Sequence, residues 1–143
     1  MANSMSTNLM VIDVAEALHF YRDVIGGEIA FVVDANEQTS MDGSIPDNPA
    51  FASVRIGDNE LMLQERMSLV EDAPMVTPDS EPGGTFTLYF RVDDVDAVVA
   101  KLPEGTEVLK PLQKTWYGMK EIWVRDPAGY VITIGAPEGP PPE

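Results

Sequence analysis

Hydrophobic residues recur at helical spacing in a segment near the start of the chain. Asp13 precedes this segment as a helix N-cap, Glu16 follows three residues later as in a capping box, and Gly26-Gly27 ends the segment. The apolar positions between these signals are three or four residues apart: Val14, Ala17, Leu18, Tyr21, Val24 and Ile25. The pattern predicts a first helix, preceded by a strand at residues 8–12 and followed by one at 28–33.

The same order of signals returns in the second half of the chain. Asp94 precedes a helical pattern that Pro103 ends, and a strand is predicted before it at residues 85–92. Asp13 and Asp94 therefore take corresponding places. Three strand candidates follow each helix, at residues 28–33, 51–56 and 60–65 in the first half and at 106–109, 120–125 and 131–135 in the second.

This repetition predicts an α+β fold of two β-α-β-β-β modules within one domain, residues 1–143. Module one spans residues 7–65 and module two spans 85–138. Residues 66–84 hold three prolines and are expected to be a linker between the modules. We expect residues 36–49 to form a second long polar loop, a candidate lid, and the proline-rich tail from residue 139 to be extended and uninvolved.

The amino-acid composition excludes several classes of protein. Hydrophobic residues make up 44% of the 143 residues, which is typical of a globular chain. No apolar run approaches the roughly 20 residues of a membrane span, and the N-terminus lacks the features of a secretory signal. With no cysteine, disulfides and thiolate chemistry are excluded, so a cytoplasmic protein is expected.

The formal net charge of −15 argues against a nucleic-acid partner, because phosphate binding needs a basic face. An acidic field favours a cationic ligand. The alternative is that the acidity only keeps the protein in solution.

Strand alternation divides the predicted strands between a core face and a polar face. The residues expected to pack on the helices are Leu9, Val11, Leu61, Leu63, Phe86, Leu88, Phe90, Val92, Ile132 and Ile134. The residues expected on the opposite face, as candidates for ligand binding, are Asn8, Met10, Met62, Gln64, Thr87, Tyr89, Arg91 and Thr133. Such a half-polar surface suits a polar organic molecule, although a solvated sheet face has the same pattern.

An aromatic cluster lies between the last predicted strands. Trp116 and Tyr117 stand in the loop before the strand at residues 120–125, and Trp123 lies within that strand. Stacking and cation–π contacts are available to the first two, which we add to the candidate ligand-binding residues. The alternatives are that Trp116 packs the loop and that Trp123 belongs to the core.

Three segments carry a resemblance to a known family: residues 16–27, 92–97 and 124–130. In this order and spacing they resemble the vicinal-oxygen-chelate superfamily, which includes glyoxalase I, the bleomycin-resistance proteins and extradiol dioxygenases. Residues 60–63 and 109–118 are most similar to a subgroup often found beside phosphonate-utilisation genes. The resemblance implies that the two modules form an open, mostly antiparallel barrel around a cavity, commonly in a homodimer.

Metal-dependent members of that superfamily place His or Glu ligands at four cavity-facing strand positions. The resemblance maps these positions onto Ser6, Met62, Thr87 and Thr133, none of which is a His, Asp or Glu. Divalent metals bind imidazole and carboxylate groups, and the one histidine, His19, lies in the first predicted helix. We therefore expect neither a metal site nor a cofactor, and the sequence assigns no catalytic residue.

The leading hypothesis is a metal-free small-molecule binding protein of the bleomycin-resistance-like type, sequestering a cationic or aromatic compound. Two alternatives stay open: a metal-dependent lyase, isomerase or dioxygenase of the glyoxalase type with atypical ligands, and a non-catalytic regulatory or interaction module. The expected partners are a small organic ligand and a second copy of the chain, with no nucleic acid and no membrane.

Overall fold

The computed structural model describes residues 4–73, 77–83 and 86–138. The chain divides into two compact units, Met1–Pro82 and Gly83–Glu143. The first unit contains β1 (Thr7–Val11), α1 (Val14–His19), β2 (Glu28–Asp34), β3 (Thr39–Ser40), β4 (Pro49–Ile56), β5 (Asn59–Glu65) and α2 (Arg66–Asp72). The second contains β6 (Leu88–Arg91), α3 (Val95–Ala100), β7 (Val108–Lys114), β8 (Met119–Arg125) and β9 (Val131–Pro137).

Each unit is built on its own mixed sheet. The first sheet has the strand order β1-β5-β4-β2-β3 and the second has β6-β9-β8-β7. One pair in each sheet is parallel, β1 with β5 and β6 with β9, and the other pairs are antiparallel. Helix α1 packs against β4 and β5, and α3 packs against β8 and β9. The α+β class is confirmed, as two sheets that do not close into a barrel.

The two predicted helix starts are confirmed by their caps. A carboxylate oxygen of Asp13 accepts from the backbone N–H of Glu16 at 3.1 Å, and one of Asp94 accepts from that of Ala97 at 3.1 Å. Helix α1 continues as a five-residue π-helix, Phe20–Val24, before Gly26 ends it at φ 92°. Within the described residues no helix is long and apolar enough to cross a membrane.

Alternation assigned the core residues correctly in β1, β5 and β9, whereas Leu88 and Phe90 of β6, expected in the core, are only half-buried. Leu63, Ile132 and Ile134 are fully buried, as predicted. Phe86 was expected in the core and is instead 48% exposed, because it lies ahead of the short strand β6 and contacts only the ring of Tyr130 among the described aromatic side chains. The predicted strand at residues 106–109 is also wrong in its bounds, since β7 runs from Val108 to Lys114 through Pro111, an arrangement that an edge strand permits.

Two predicted loops contain regular structure. The expected linker begins with α2, because Glu65 caps that helix by accepting from the backbone N–H groups of Met67 and Ser68. The expected loop at residues 36–49 contains β3, which pairs with the end of β2. The tail from residue 139 lies outside the described residues.

Candidate functional site

Two rows of paired residues cross the second sheet on the side opposite α3. The first row is Tyr89, Thr133, Trp123 and Lys110, and the second is Arg91, Gly135, Glu121 and Gln113. Residues paired across strands point to the same face, and so do alternate residues of one strand. We call these eight residues the polar face of the second sheet.

A buried carboxylate lies at the centre of this face. Glu121 is 3% exposed, and its two oxygens accept hydrogen bonds from two phenols. The hydroxyl of Tyr89 donates to Oε2, and that of Tyr117 donates to Oε1 at 2.6 Å. Gly135 makes room for this arrangement, because a Cβ atom there would lie 2.6 Å from the Tyr89 hydroxyl and 3.1 Å from Cγ of Glu121.

Both phenols are held in their protonated, donating form. Burial raises the pKa of Tyr89, and its hydrogen bond to Glu121 raises it further. The hydrogen bond to Glu121 is the main cause that raises the pKa of Tyr117, with burial adding to it. At neutral pH both phenols therefore donate to Glu121, which gives each of its buried oxygens a hydrogen-bond partner.

Two cations of the polar face lie over aromatic rings. The guanidinium carbon of Arg91 is 4.9 Å from the centroid of the Tyr89 ring, and Nζ of Lys110 is 5.5 Å from that of Trp123. Both distances lie within the range of a cation–π interaction. Trp123, weighed as a core residue, is only half-buried.

The turn between β7 and β8 carries the exposed aromatic pair. Trp116 is 94% exposed and Tyr117 is 50% exposed, and their rings meet edge to face with centroids 5.3 Å apart. Thr87 lies ahead of β6 and hydrogen-bonds to the buried Thr133 at 3.0 Å. The structure thus brings the second-unit candidates together on one face and its adjoining turn.

The first-unit candidates form a packed network of their own. The amide of Asn8 donates to Oε1 of Gln64 at 3.0 Å, while Nε2 of Gln64 donates to Ser68 at 2.9 Å and to Asp72 at 2.8 Å. Gln64 and Met10 are buried, and Met62 is half-buried. Nε2 of Gln64 therefore holds α2 against β5, while Oε1 bonds to β1.

The first unit also has an open groove of about 470 Å³, beside the start of β2 and the loop that follows β3. Its lining includes Arg22, Glu28, Met41 and Asp42 and contains none of the sequence-predicted site residues. Hydrogen bonds from Ser44 and Ser40 lower the pKa of Asp42 to about 2. These contacts are local to the loop and do not connect it with the candidate residues of either sheet.

Sequence reasoning left Glu121 without a role. Alternation in β8 contained the signal, because it places Ile122 and Val124 in the core and Glu121 with Trp123 on the other face. A carboxylate at such a position needs compensating donors when it is buried. Its donors come from β6 and from the turn, and strand periodicity alone does not indicate which elements these are.

The four positions that correspond to metal ligands do not fit a divalent metal. The Ser6 hydroxyl donates to Glu60 at 2.6 Å, Thr87 and Thr133 bond to each other, and Met62 has only a thioether. In residues 4–73, 77–83 and 86–138, no three His, Asp or Glu side chains lie together in a way that could hold a metal ion. His19 pairs with Asp23 at 3.4 Å on the exposed surface of the first helix.

Solved structures with the same fold come from several bacteria. A protein of unknown function from Agrobacterium tumefaciens str. C58 is 23% identical, with a TM-score of 0.70 over 95% of this chain and 94% of its own. A glyoxalase/bleomycin resistance protein/dioxygenase family enzyme from Burkholderia phytofirmans PsJN is 19% identical, with a TM-score of 0.68 over 94% and 98%. TnmS3, an antibiotic binding protein from Streptomyces sp. CB03234, is 26% identical, with a TM-score of 0.59 over 96% and 99%.

A search among curated proteins finds no match at the sequence level. The family model of the glyoxalase/bleomycin resistance protein/dioxygenase superfamily, in contrast, matches residues 5–134, which is most of the chain. The solved structures agree with that match in fold over nearly their whole length. The chain therefore belongs to the glyoxalase/bleomycin resistance protein/dioxygenase superfamily.

Proposed function

We propose that this protein is a metal-free small-molecule binding protein of the bleomycin-resistance-like type, which sequesters an aromatic or cationic compound. The observation that carries the proposal is the hydrogen bond from Tyr117 to the buried Glu121. It holds the Tyr117 ring in place, and with it the neighbouring Trp116, which is 94% exposed although tryptophan is a highly buried residue on average.

A fixed aromatic pair is suited to binding. Large rings provide contact area, and a ring already held in position loses little conformational freedom when a ligand stacks on it. The similarity to TnmS3, an antibiotic binding protein that is 26% identical over nearly the whole chain, supports the same function class. The net charge of −15 favours cations at long range, whereas the exposed rings favour aromatic compounds at contact distance.

The proposal extends to the organisation of the protein. It treats residues 1–143 as one domain, with module one at 7–65, a linker at 66–84 and module two at 85–138. It places the protein in the cytoplasm as a homodimer and near the phosphonate-associated subgroup. The proposed ligand-binding residues are Asn8, Met10, Met62, Gln64, Thr87, Tyr89, Arg91, Trp116, Tyr117 and Thr133.

Thermal unfolding against a panel of aromatic and cationic compounds at about 1 mM tests the function. A compound present at ten times its Kd stabilises the folded state by about 1.4 kcal/mol, which corresponds to a rise in Tm of about 4 °C. Trp116→Ala should remove the rise, and Met67→Ala, which alters an exposed apolar side chain of α2, should not. A panel without a single stabilising compound contradicts the proposal.

Metal independence has its own measurement. The protein is expressed with nickel, zinc, manganese and iron supplied, desalted gently and analysed for metal by mass spectrometry. We expect less than about a tenth of an equivalent of any of them, because the residues at the four corresponding positions are not imidazole or carboxylate groups. Near-stoichiometric metal that raises Tm would support a glyoxalase-type enzyme instead.

A further inference from the structure

We infer that the polar face of the second sheet binds an aromatic compound that carries a negatively charged group, such as a sulfonate or carboxylate, and that Arg91 and Lys110 recognise this group. The inference rests on the proposed function and narrows its ligand class. The exposed charged side chains of the polar face, Arg91 and Lys110, are positive, whereas the net charge of the whole chain is −15.

The first support is that Arg91 and Lys110 form no ion pair with a carboxylate among the described residues. The chain has 24 acidic and 9 basic residues. In the described residues, five basic side chains form an ion pair with a carboxylate: Arg22, Arg55, Lys114, Lys120 and Arg125. In the same part of the chain Arg66, Lys101, Arg91 and Lys110 form none, and of these four Arg91 and Lys110 each lie over an aromatic ring. Their charge is therefore not neutralised by a carboxylate.

The second support is that Glu121, the acidic residue of this face, is already hydrogen-bonded through both of its oxygens. Glu121 is buried, and both of its oxygens accept from tyrosine hydroxyls. Both of its oxygens are thus covered by phenol groups, whereas Arg91 and Lys110 are exposed. A ligand that approaches the face meets two positive groups and the rings of Tyr89 and Trp123 beneath them.

The third support is the spacing of these groups. Arg91 lies on the edge strand β6 and Lys110 on the opposite edge strand β7, three strand spacings of about 4.8 Å apart. Trp123 and Thr133 lie between them on β8 and β9. A flat ring system of two or three fused rings that lies across the middle strands brings its acidic group to one of the two cations. Guanidinium and ammonium groups bind sulfonate and carboxylate oxygens by charge-assisted hydrogen bonds.

The net charge of the chain does not oppose this at contact distance. At physiological ionic strength, interactions between exposed charges fall off over about 8 Å. A ligand group a hydrogen bond away from Arg91 or Lys110 therefore experiences these two cations more strongly than distant carboxylates.

The test uses two fluorescent probes that differ only in the charged group, 1-anilinonaphthalene-8-sulfonate and 1-anilinonaphthalene, titrated into the full chain. We expect the sulfonate to bind about tenfold more tightly, the effect of one charge-assisted hydrogen bond. Arg91→Gln and Lys110→Gln should each weaken sulfonate binding by about fivefold or more and leave the neutral probe within about twofold. Lys101→Gln, which removes an exposed cation of the same unit, is the matched control.

Equal affinity of the two probes, or sulfonate binding that is unchanged in Arg91→Gln and Lys110→Gln, overturns the inference. If Trp116→Ala still weakens both probes in that case, the proposed function stands without the anionic preference. Failure of both probes to bind the folded protein, checked by circular dichroism, also overturns the inference. The proposed function then fails only if the thermal panel is negative as well.

Discussion

The hydroxyl of Tyr117 lies 2.6 Å from Oε1 of Glu121, four residues further along the same hairpin. The other oxygen of Glu121 accepts from Tyr89, which lies two strands away across Gly135. One buried carboxylate therefore connects the turn between β7 and β8 with the opposite edge strand β6. It also places the Tyr117 ring, which Trp116 contacts edge to face.

Glu121→Gln should lower the free energy of unfolding by about 1–3 kcal/mol, because both tyrosines donate to the carboxyl group and an amide nitrogen cannot accept. One of the two tyrosines must therefore reorient its hydroxyl to accept from the new amide or lose its hydrogen bond. Urea unfolding measures the change. Glu104→Gln, at an exposed loop position, is the control and should change the free energy by less than about 0.5 kcal/mol. Equal stability of the two variants would contradict the role of Glu121.

Gly135→Ala should destabilise the second unit by about 1–3 kcal/mol, because the added Cβ overlaps the Tyr89 hydroxyl at 2.6 Å. Tyr89→Phe removes that oxygen. Tyr89→Phe should therefore lower the free energy of unfolding by less in the Gly135→Ala background than in the native chain. A double-mutant cycle should show a coupling energy of at least about 0.5 kcal/mol. Strictly additive costs would show that the two residues do not compete for this space.

The ionisation of Tyr117 should be displaced to high pH. The pKa of a free tyrosine is about 10, and the hydrogen bond to Glu121 raises that of Tyr117. A raised pKa means that the stabilisation is fully present below about pH 10 and is lost as the pH rises through the pKa of the folded state. The difference in absorbance at 295 nm between the native chain and Tyr117→Phe reports this titration. In Glu121→Gln its midpoint should move down towards 10, and an unmoved midpoint would contradict the assigned cause.

Gln64→Leu should release α2 from the first sheet. The substitution keeps the volume but removes the donors to Ser68 and Asp72 and the acceptor of Asn8. We expect a loss of about 1–3 kcal/mol and faster amide hydrogen exchange in Arg66–Asp72 than in β5. Asn8→Ala removes one of the three hydrogen bonds and leaves the two that hold α2. It should leave exchange in α2 unchanged, and a similar acceleration in both variants would contradict the role of Gln64.

The helix caps and the alternation of buried residues along strands depend on residues that are close in sequence, so both can be predicted from the sequence. The Asp13 and Asp94 caps depend on backbone groups three residues away, so each was found without knowledge of the rest of the chain. The burial of Leu61, Leu63, Ile132 and Ile134 follows from the two-residue period of a strand. Helix α2 was missed because its hold on the sheet depends on Gln64, whose role appears only when β5 and the helix are in contact.

The candidate site also combines features that the sequence predicts with features that depend on the tertiary structure. The sequence by itself determined the α+β class, the two helix starts, and the choice of Tyr89, Arg91, Trp116 and Tyr117 as candidates, since each depends on spacing or residue type. Only the tertiary structure decided that β6 lies next to β9 and β9 next to β8, which brings Tyr89 to Glu121 over Gly135. Periodicity assigns a residue to a face of its own strand, but it does not determine which strand becomes the neighbour. The role of Glu121 is therefore a property of the assembled sheet, because its hydrogen-bond donors are supplied by other segments of the chain.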